Sequence, residues 1–169
     1  VTHSFGGVVA RAALSSEEWR AATQGMGWGT EGRALRCIML GPPNRGSSLA
    51  RTLRPKPSSP QGIGDYAYSW ALDLLSKSVL GEKAGLELAS EQEDDAKFGV
   101  VPKECETLII AGDIGGANPL LGEPSDGVVT VSETMLSKPH WRLTLTAPHN
   151  LIGEHPGAVR ASIDFIEGL

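Results

Sequence analysis

Residues 1–11 read VTHSFGGVVAR, and this stretch decides how the fold of the chain is interpreted. A serine is followed by Gly6 and Gly7, and apolar residues then recur at helical spacing. Where a strand turns sharply into a helix, the corner residue is strained and its neighbours must be small. The corner side chain projects into the open, and the next backbone N–H points at the same spot. The pattern therefore predicts that Ser4 is a reactive serine at such a corner.

The composition is that of an ordinary folded domain. The chain has 169 residues, with 15 Lys and Arg against 20 Asp and Glu, a formal net charge of −5, and 40% hydrophobic residues. The length predicts one domain, and the apolar content argues against a chain that is disordered throughout. The acidic balance argues against a nucleic-acid partner, because no basic stripe is present to neutralise phosphates. No apolar run reaches the roughly 18 residues of a membrane-spanning helix, so no integral membrane segment is expected.

The two cysteines, Cys37 and Cys105, lie in or beside apolar runs and are interpreted as buried thiols. Two cysteines cannot hold zinc without histidine ligands, and no histidine has a metal-ligand spacing from either. The sequence therefore predicts no metal site. A disulfide between the cysteines stays open, because no targeting signal is visible and the sequence fits a cytoplasmic or a secreted protein.

The sequence as a whole predicts an alternation of strands and helices. Short apolar runs stopped by Gly or Pro are typical of buried strands, and apolar residues at helical spacing are typical of helices. Strands are predicted at 35–40, 107–111, 128–131 and 141–146. Helices are predicted at 6–14, 19–23, 65–80 and 157–166, one or two helical turns at 47–53, and a loop at 148–156. Strands separated by helices and loops indicate an α/β fold with a parallel sheet.

A serine nucleophile needs a base and an acid that orients the base. Where a nucleophilic serine sits on such a strand-to-helix corner, the partners follow in the order Ser, Asp, His. Asp126, in PSDGVV, and His149, in APHN, have this order, and each lies just past an apolar run. The carboxyl ends of parallel strands meet at one edge of a sheet, where catalytic groups gather. We therefore expect both side chains to lie near Ser4.

Four sequence blocks, in order, resemble bacterial lipase-like and esterase-like α/β-hydrolases. The first is residues 2–7, which resemble the Gly-x-Ser-x-Gly nucleophile elbow of these enzymes, with Thr2 in place of the first glycine. The next two are LGPPNRGS at 40–47 and SDGVV at 125–129, and the fourth is a histidine near the end followed by a closing helix. The resemblance implies the C-terminal part of an α/β-hydrolase fold: a mostly parallel sheet flanked by helices, with the N-terminal strands missing.

The same resemblance implies a serine hydrolase that cleaves carboxylic esters through an acyl-enzyme. Ser4 is then the nucleophile, His149 the base and Asp126 the acid, and the Phe5 N–H binds the oxyanion together with a donor from the missing part. The resemblance implies no metal or organic cofactor, and it implies a small-molecule or lipid ester as substrate. Which ester is cleaved, and the oligomeric state, are left open.

Residues 1–169 are predicted to form one partial α/β-hydrolase domain. The family places a cap or lid where this sequence has a variable segment, so an insertion is expected over about 54–100. Trp70, Leu72 and Leu75 in that segment are candidates to contact an acyl chain, with ordinary core packing as the alternative.

The acid has a competitor, and two further residues are candidates to surround the site. Asp113 directly follows the 107–111 strand, where many hydrolases of this fold carry the acid. Asp126 is preferred because the lipase-like subgroup matches there. Asn44 and Arg45 are candidates to line the site, with a turn-forming role as the alternative for the asparagine.

His140 and His155 compete with His149 as the base. His140 precedes a strand and is therefore expected at the edge of the sheet opposite Ser4, and His155 follows in a loop. His3, beside the serine, is expected to pack inside the corner rather than to act as the base.

Two other classes of function stay open. Thr2 and the missing N-terminal half favour a fragment or pseudo-enzyme that acts as a binding module without turnover. An acyltransferase with the same three residues would pass the acyl group to an alcohol instead of water, and the sequence does not separate the two reactions.

Overall fold

A computed structural model describes residues 1–26, 35–52, 98–115 and 121–169 of the chain. The strands in these ranges are Thr2–His3 (β1), Leu35–Leu40 (β2), Cys105–Gly112 (β3) and Trp141–Leu145 (β4). They form one parallel sheet in the spatial order β1-β2-β3-β4. The α-helices are Gly6–Ser15 (α1), Glu17–Thr23 (α2), Ser48–Thr52 (α3) and Pro156–Glu167 (α4), and 3-10 helices span Ser132–Thr134 and His149–Glu154.

The central strands β2 and β3 are covered on both faces. Met39 of β2 and Ile109 of β3 lie side by side in register, and both side chains are fully buried. Parallel strands that are buried on both faces have nearly continuous apolar sequences. This is why short apolar runs were sufficient to predict these strands.

The sheet separates two apolar cores, because successive residues of a strand point to opposite faces. The first core contains buried residues from α1, β2 and β3 and from the segments before and after β3: Leu14, Cys37, Met39, Val101, Cys105, Ile109 and Leu136. The second contains Ile38, Leu40, Leu108, Ile110, Ala147, Ile152 and Ala158. Helices thus pack on both faces of the sheet, as the α/β prediction requires.

Most of the predicted elements in the described ranges are confirmed, with small shifts at their ends. The helix predicted at 6–14 is α1, the three main strands are β2, β3 and β4, and the closing helix is α4. The segment predicted as a loop at 148–156 contains a 3-10 helix instead. The predicted cap over about 54–100, including the 65–80 helix, lies outside the described residues except at 98–100. None of the described helices is long and apolar enough to cross a membrane.

The strand predicted at 128–131 is wrong. The Val128 and Val129 N–H groups donate to the Asp126 carboxylate, at 2.9 and 2.7 Å, so they are not free to pair with a neighbouring strand. Both valine side chains are nevertheless buried. The apolar run therefore indicated burial correctly but not strand pairing, because a local side-chain acceptor competes for the backbone donors.

All four strands run in one direction, so their carboxyl ends lie at the same edge of the sheet. Ser4 follows β1 directly, Gly41 follows β2, Gly112 ends β3, and His149 follows β4 after a short loop. Residues that are far apart in the sequence are thereby brought to one place.

Candidate active site

Ser4 occupies a strained corner between β1 and α1. Its φ is +54°, and it is the one non-glycine residue with a positive φ in the described ranges. The Ser4 N–H donates to the Leu40 carbonyl at 2.8 Å, which fixes the corner to the end of β2. At Gly7, a Cβ would lie 2.8 Å from the Pro42 Cβ, so a larger residue would force the helix away from that loop.

Thr2 fits where the resembled pattern has glycine. A Cβ built on Gly6 would lie 3.6 Å from the Thr2 Cβ, which is ordinary van der Waals contact. The Thr2 hydroxyl donates to the Ile38 carbonyl at 3.3 Å. The threonine therefore satisfies its own polar group within the sheet and leaves room for the corner.

Ser4, His149 and Asp126 form a continuous chain of hydrogen bonds. The Ser4 Oγ lies 2.9 Å from His149 Nε2, and His149 Nδ1 lies 2.6 Å from Asp126 Oδ2. The backbone of the histidine is also fixed, because its N–H donates to the Asp126 carbonyl at 3.0 Å. All three residues are buried or nearly so, which strengthens such polar contacts by excluding water.

The two carboxylate oxygens of Asp126 have different partners. Oδ1 accepts the N–H groups of Val128 and Val129, and Oδ2 faces the imidazole of His149. The turn after the aspartate requires a left-handed residue, and Gly127 supplies it with a φ of +96°. The SDGVV sequence therefore builds a rigid loop that presents one carboxylate oxygen to the histidine.

Two glycines at the ends of the central strands leave space for this pair. A Cβ on Gly41 would lie 3.1 Å from Asp126 Oδ2 and 3.2 Å from His149 Nδ1. A Cβ on Gly112 would lie 2.8 Å from the Asp126 Cβ and would clash with the Ala147 carbonyl oxygen. Sequence reasoning assigned neither glycine to the site, although each closes a predicted strand.

Glu133 is a second buried carboxylate close to the Asp126 loop, and sequence reasoning missed it. Its Oε2 accepts the Thr130 N–H at 2.9 Å, and its Oε1 accepts the Ser48 N–H and lies 3.3 Å from Arg51 Nη2. Glu133 thus ties the loop that carries the aspartate to the first turn of α3.

Asn44 has a structural role in the described residues. It is buried, its Nδ2 donates to the Thr134 carbonyl at 2.7 Å, and its own carbonyl accepts from Arg11 Nη1 at 2.8 Å. The Arg45 side chain is exposed. The hydrogen bonds of the asparagine favour the turn-forming interpretation over a lining role for this residue.

The competing acid and bases have other partners. Asp113 Oδ1 accepts the Gly115 N–H at 3.0 Å. His140 lies just before β4, with its ring nitrogens 2.8 Å from the Lys138 carbonyl oxygen and 3.3 Å from Met135 Sδ. The His155 side chain accepts the Gly157 N–H at 3.0 Å and caps α4. The structure therefore brings Asp126 and His149 to Ser4 and directs these three side chains elsewhere.

The two cysteines are free, buried thiols on the first core. Cys105 of β3 is paired with Leu35 of β2, so Cys37 lies two residues further along β2 and is paired with Thr107. A hydrogen bond from the Cys37 thiol, supported by Lys138, lowers the pKa of Cys105 to about 7. The same contact and burial raise the pKa of Cys37, because a second thiolate beside the first is unfavourable.

Within the described ranges, no cluster of three or more His, Cys, Asp or Glu residues is arranged to hold a metal ion. A serine hydroxyl beside an oriented imidazole can act as a nucleophile.

Comparison with known proteins identifies the fold. No protein-family model matches the sequence, and no curated protein sequence matches it significantly. The crystal structure of a lipase from Bacillus licheniformis, in its mature form, is similar with a TM-score of 0.52 and 20% sequence identity. The chain shares its fold with a lipase. The match covers 96% of this chain and 64% of that lipase, so this chain spans less than two thirds of its structural neighbour.

Proposed function

We propose that this chain is a serine hydrolase that cleaves carboxylic esters, with Ser4 as nucleophile, His149 as general base and Asp126 as the orienting acid. The observation that carries the proposal is the pair of hydrogen bonds, 2.9 Å from Ser4 Oγ to His149 Nε2 and 2.6 Å from His149 Nδ1 to Asp126 Oδ2. A nucleophile, a base and an orienter within hydrogen-bond reach are the geometric signature of nucleophilic catalysis.

The backbone around Ser4 supports this assignment independently of the hydrogen bonds. A left-handed conformation at a serine costs free energy of about 1–2 kcal/mol, so it persists only where the surrounding structure imposes it. The strand–corner–helix arrangement is that of a nucleophile elbow. The similarity of the fold to that of a lipase is compatible with an ester substrate.

The proposed reaction begins with attack of Ser4 Oγ on the ester carbonyl while its proton passes to His149 Nε2. Asp126 accepts the Nδ1–H, which fixes the tautomer and stabilises the imidazolium. Collapse of the tetrahedral intermediate breaks the ester C–O bond, and the leaving alkoxide takes the proton from Nε2. Water then attacks the acyl-serine with His149 again as base, which releases the carboxylic acid and restores the serine.

The oxyanion of the intermediate is assigned to the backbone N–H of Phe5. No described residue accepts a hydrogen bond from this N–H, and the N-cap residue of α1, Phe5, makes no side-chain capping hydrogen bond. The partial positive charge of a helix N-terminus adds to the stabilisation of the developing charge. A single donor of this kind contributes about 10²- to 10³-fold to the rate in serine hydrolases.

Hydrolysis of a short-chain p-nitrophenyl ester, with identification of both products, tests the proposal. We expect the free carboxylic acid from the wild-type chain and no turnover above background from Ser4→Ala. Ser16→Ala is the matched control, because the Ser16 hydroxyl caps α2 and is expected to leave the rate unchanged. Equal rates for Ser4→Ala and the wild type would contradict the proposal.

A further inference from the structure

The side chain of His3 contacts the proposed base, although the proposed proton transfers do not use it. His3 Nε2 lies 2.8 Å from the backbone carbonyl oxygen of His149. The two imidazole rings are 4.9 Å apart between centroids and are tilted by 44°. A carbonyl oxygen can only accept, so His3 must carry its proton on Nε2 and donate it.

This hydrogen bond joins the backbone of the base to the corner that carries the nucleophile. His3 directly precedes Ser4 and is separated from His149 by 146 positions in the sequence. The other anchors of His149, its N–H and its Nδ1, both lead to Asp126. Among the described residues, the hydrogen bonds that join the 148–150 segment directly to the corner are those of His149 with His3 and with Ser4.

We propose that His3 is a positioning residue: its Nε2–H holds the main-chain carbonyl of His149 and thereby keeps the imidazole within reach of the Ser4 hydroxyl. The role in turnover rests on the proposed function, whereas the hydrogen bond itself does not. A displacement of about 1 Å between reacting groups can lower a rate by about 10²-fold. The exposure of the His3 side chain makes a role in core packing a poor explanation for such an effect.

Three substitutions separate the hydrogen bond from the bulk of the ring. His3→Gln places an amide N–H close to the position of the imidazole Nε2 and is expected to retain the bond. His3→Phe keeps the ring and removes the donor, and His3→Asn places its amide nitrogen closer to the position of Nδ1. We expect kcat for a p-nitrophenyl ester to fall about 10- to 100-fold in His3→Phe and His3→Asn, with KM changed less than about twofold.

Rescue by His3→Gln is the readout that a merely structural role would not produce. We expect this variant to retain kcat within about threefold of the wild type, while the thermal unfolding midpoints of all three variants stay within a few degrees of it. A wild-type rate in His3→Phe, or a His3→Gln variant as slow as His3→Phe, would overturn the inference.

Nitrogen NMR of the histidine side chains tests the hydrogen bond without turnover. At a pH where the ring is neutral, we expect His3 as the Nε2–H tautomer, and a change in the His149 ring signals in His3→Phe but not in His3→Gln. A His3 ring protonated on Nδ1 instead would overturn the inference. A wild-type chain that shows this tautomer but hydrolyses no ester would contradict the proposed function and leave the hydrogen bond standing.

Discussion

The two edges of the sheet use histidine in different ways. At the carboxyl edge, His149 contacts Ser4 and Asp126, which lie 145 and 23 positions away in the sequence. At the amino edge, His140 contacts Lys138 and Met135, which lie two and five positions away. The residue type therefore does not decide the role. What distinguishes His149 is that the parallel topology delivers its partners from separate loops.

The two edges of the sheet also differ in their backbone conformation and in how closely the backbone approaches side chains. The carboxyl edge holds a serine with a positive φ and a glycine after β2 that leaves room for the Asp126–His149 pair. The amino edge, where β3 begins, carries the buried Cys105 and the local contacts of His140. The strained Ser4 and the close approach of Gly41 to the Asp126–His149 pair thus lie where the proposed chemistry takes place, and functional sites commonly hold such strain.

The largest difference in activity is expected when the two histidines, His149 and His140, are replaced in turn. His149→Ala removes the proposed base, so we expect kcat/KM for a p-nitrophenyl ester to fall by about 10⁴-fold or more. The His140 ring nitrogens contact Lys138 and Met135, which are close in the sequence, so His140→Ala is expected to change kcat/KM less than about twofold. The ester assay measures both variants. Equal losses of kcat/KM would contradict the different roles assigned to His149 and His140.

The next comparison concerns the two candidate acids. Asp126→Asn leaves the loop in place but no longer favours the correct imidazole tautomer, so we expect kcat to fall about 10³- to 10⁴-fold. Asp113→Asn is the matched control, because Asp113 Oδ1 accepts only the nearby Gly115 N–H in the described residues. A larger loss in the control would reassign the acid to Asp113.

A smaller effect is expected from Gly41→Ala. The added methyl group would press on Asp126 Oδ2 and His149 Nδ1, so we expect kcat to fall about 10-fold or more. Gly122→Ala imposes a similar backbone cost, since both glycines have a positive φ, but its Cβ would meet no atom of the described residues within 4 Å. Similar loss of kcat in both variants would show that backbone strain, and not the contact, is responsible.

The smallest effect is expected when a thiol of the first core is removed in Cys105→Ala, and it concerns the free energy of unfolding. The pKa of Cys105 is lowered to about 7, so the folded protein releases this proton before the unfolded chain does. We therefore expect the free energy of unfolding to rise, relative to Cys105→Ala, as the pH increases from about 7 to the ordinary thiol pKa of about 8.5. Denaturant unfolding at several pH values measures this difference, and a difference that falls over this interval would contradict the assigned direction. Ester turnover should be unaffected by the substitution.

Sequence patterns were sufficient to predict the framework. Apolar runs that end at a glycine located β2 and β3 because both strands are buried on both faces. The order Ser, Asp, His selected three residues that lie at hydrogen-bond distance, and their catalytic role remains a proposal. The 128–131 segment was misassigned because the competing acceptor for its N–H groups is a side chain, which an apolar pattern does not reveal.

The contacts of the residues that surround the Ser4–His149–Asp126 group could not be predicted, because their partners are distant in the sequence. Glu133 accepts from Ser48, which lies 85 positions earlier, and His3 contacts a carbonyl 146 positions later. Gly41 was visible as the end of a strand, but its contact with the Asp126–His149 pair depends on how two loops meet. These contacts are properties of the folded sheet edge and leave no local signal in the chain.

The most direct test of the central claim is labelling with a fluorophosphonate probe, followed by intact-mass measurement and peptide mapping. We predict a single adduct on Ser4 in the wild type and in His140→Ala, and none in Ser4→Ala or His149→Ala. An adduct on another residue, or equal labelling of the two histidine variants, would contradict the proposed roles of Ser4 and His149.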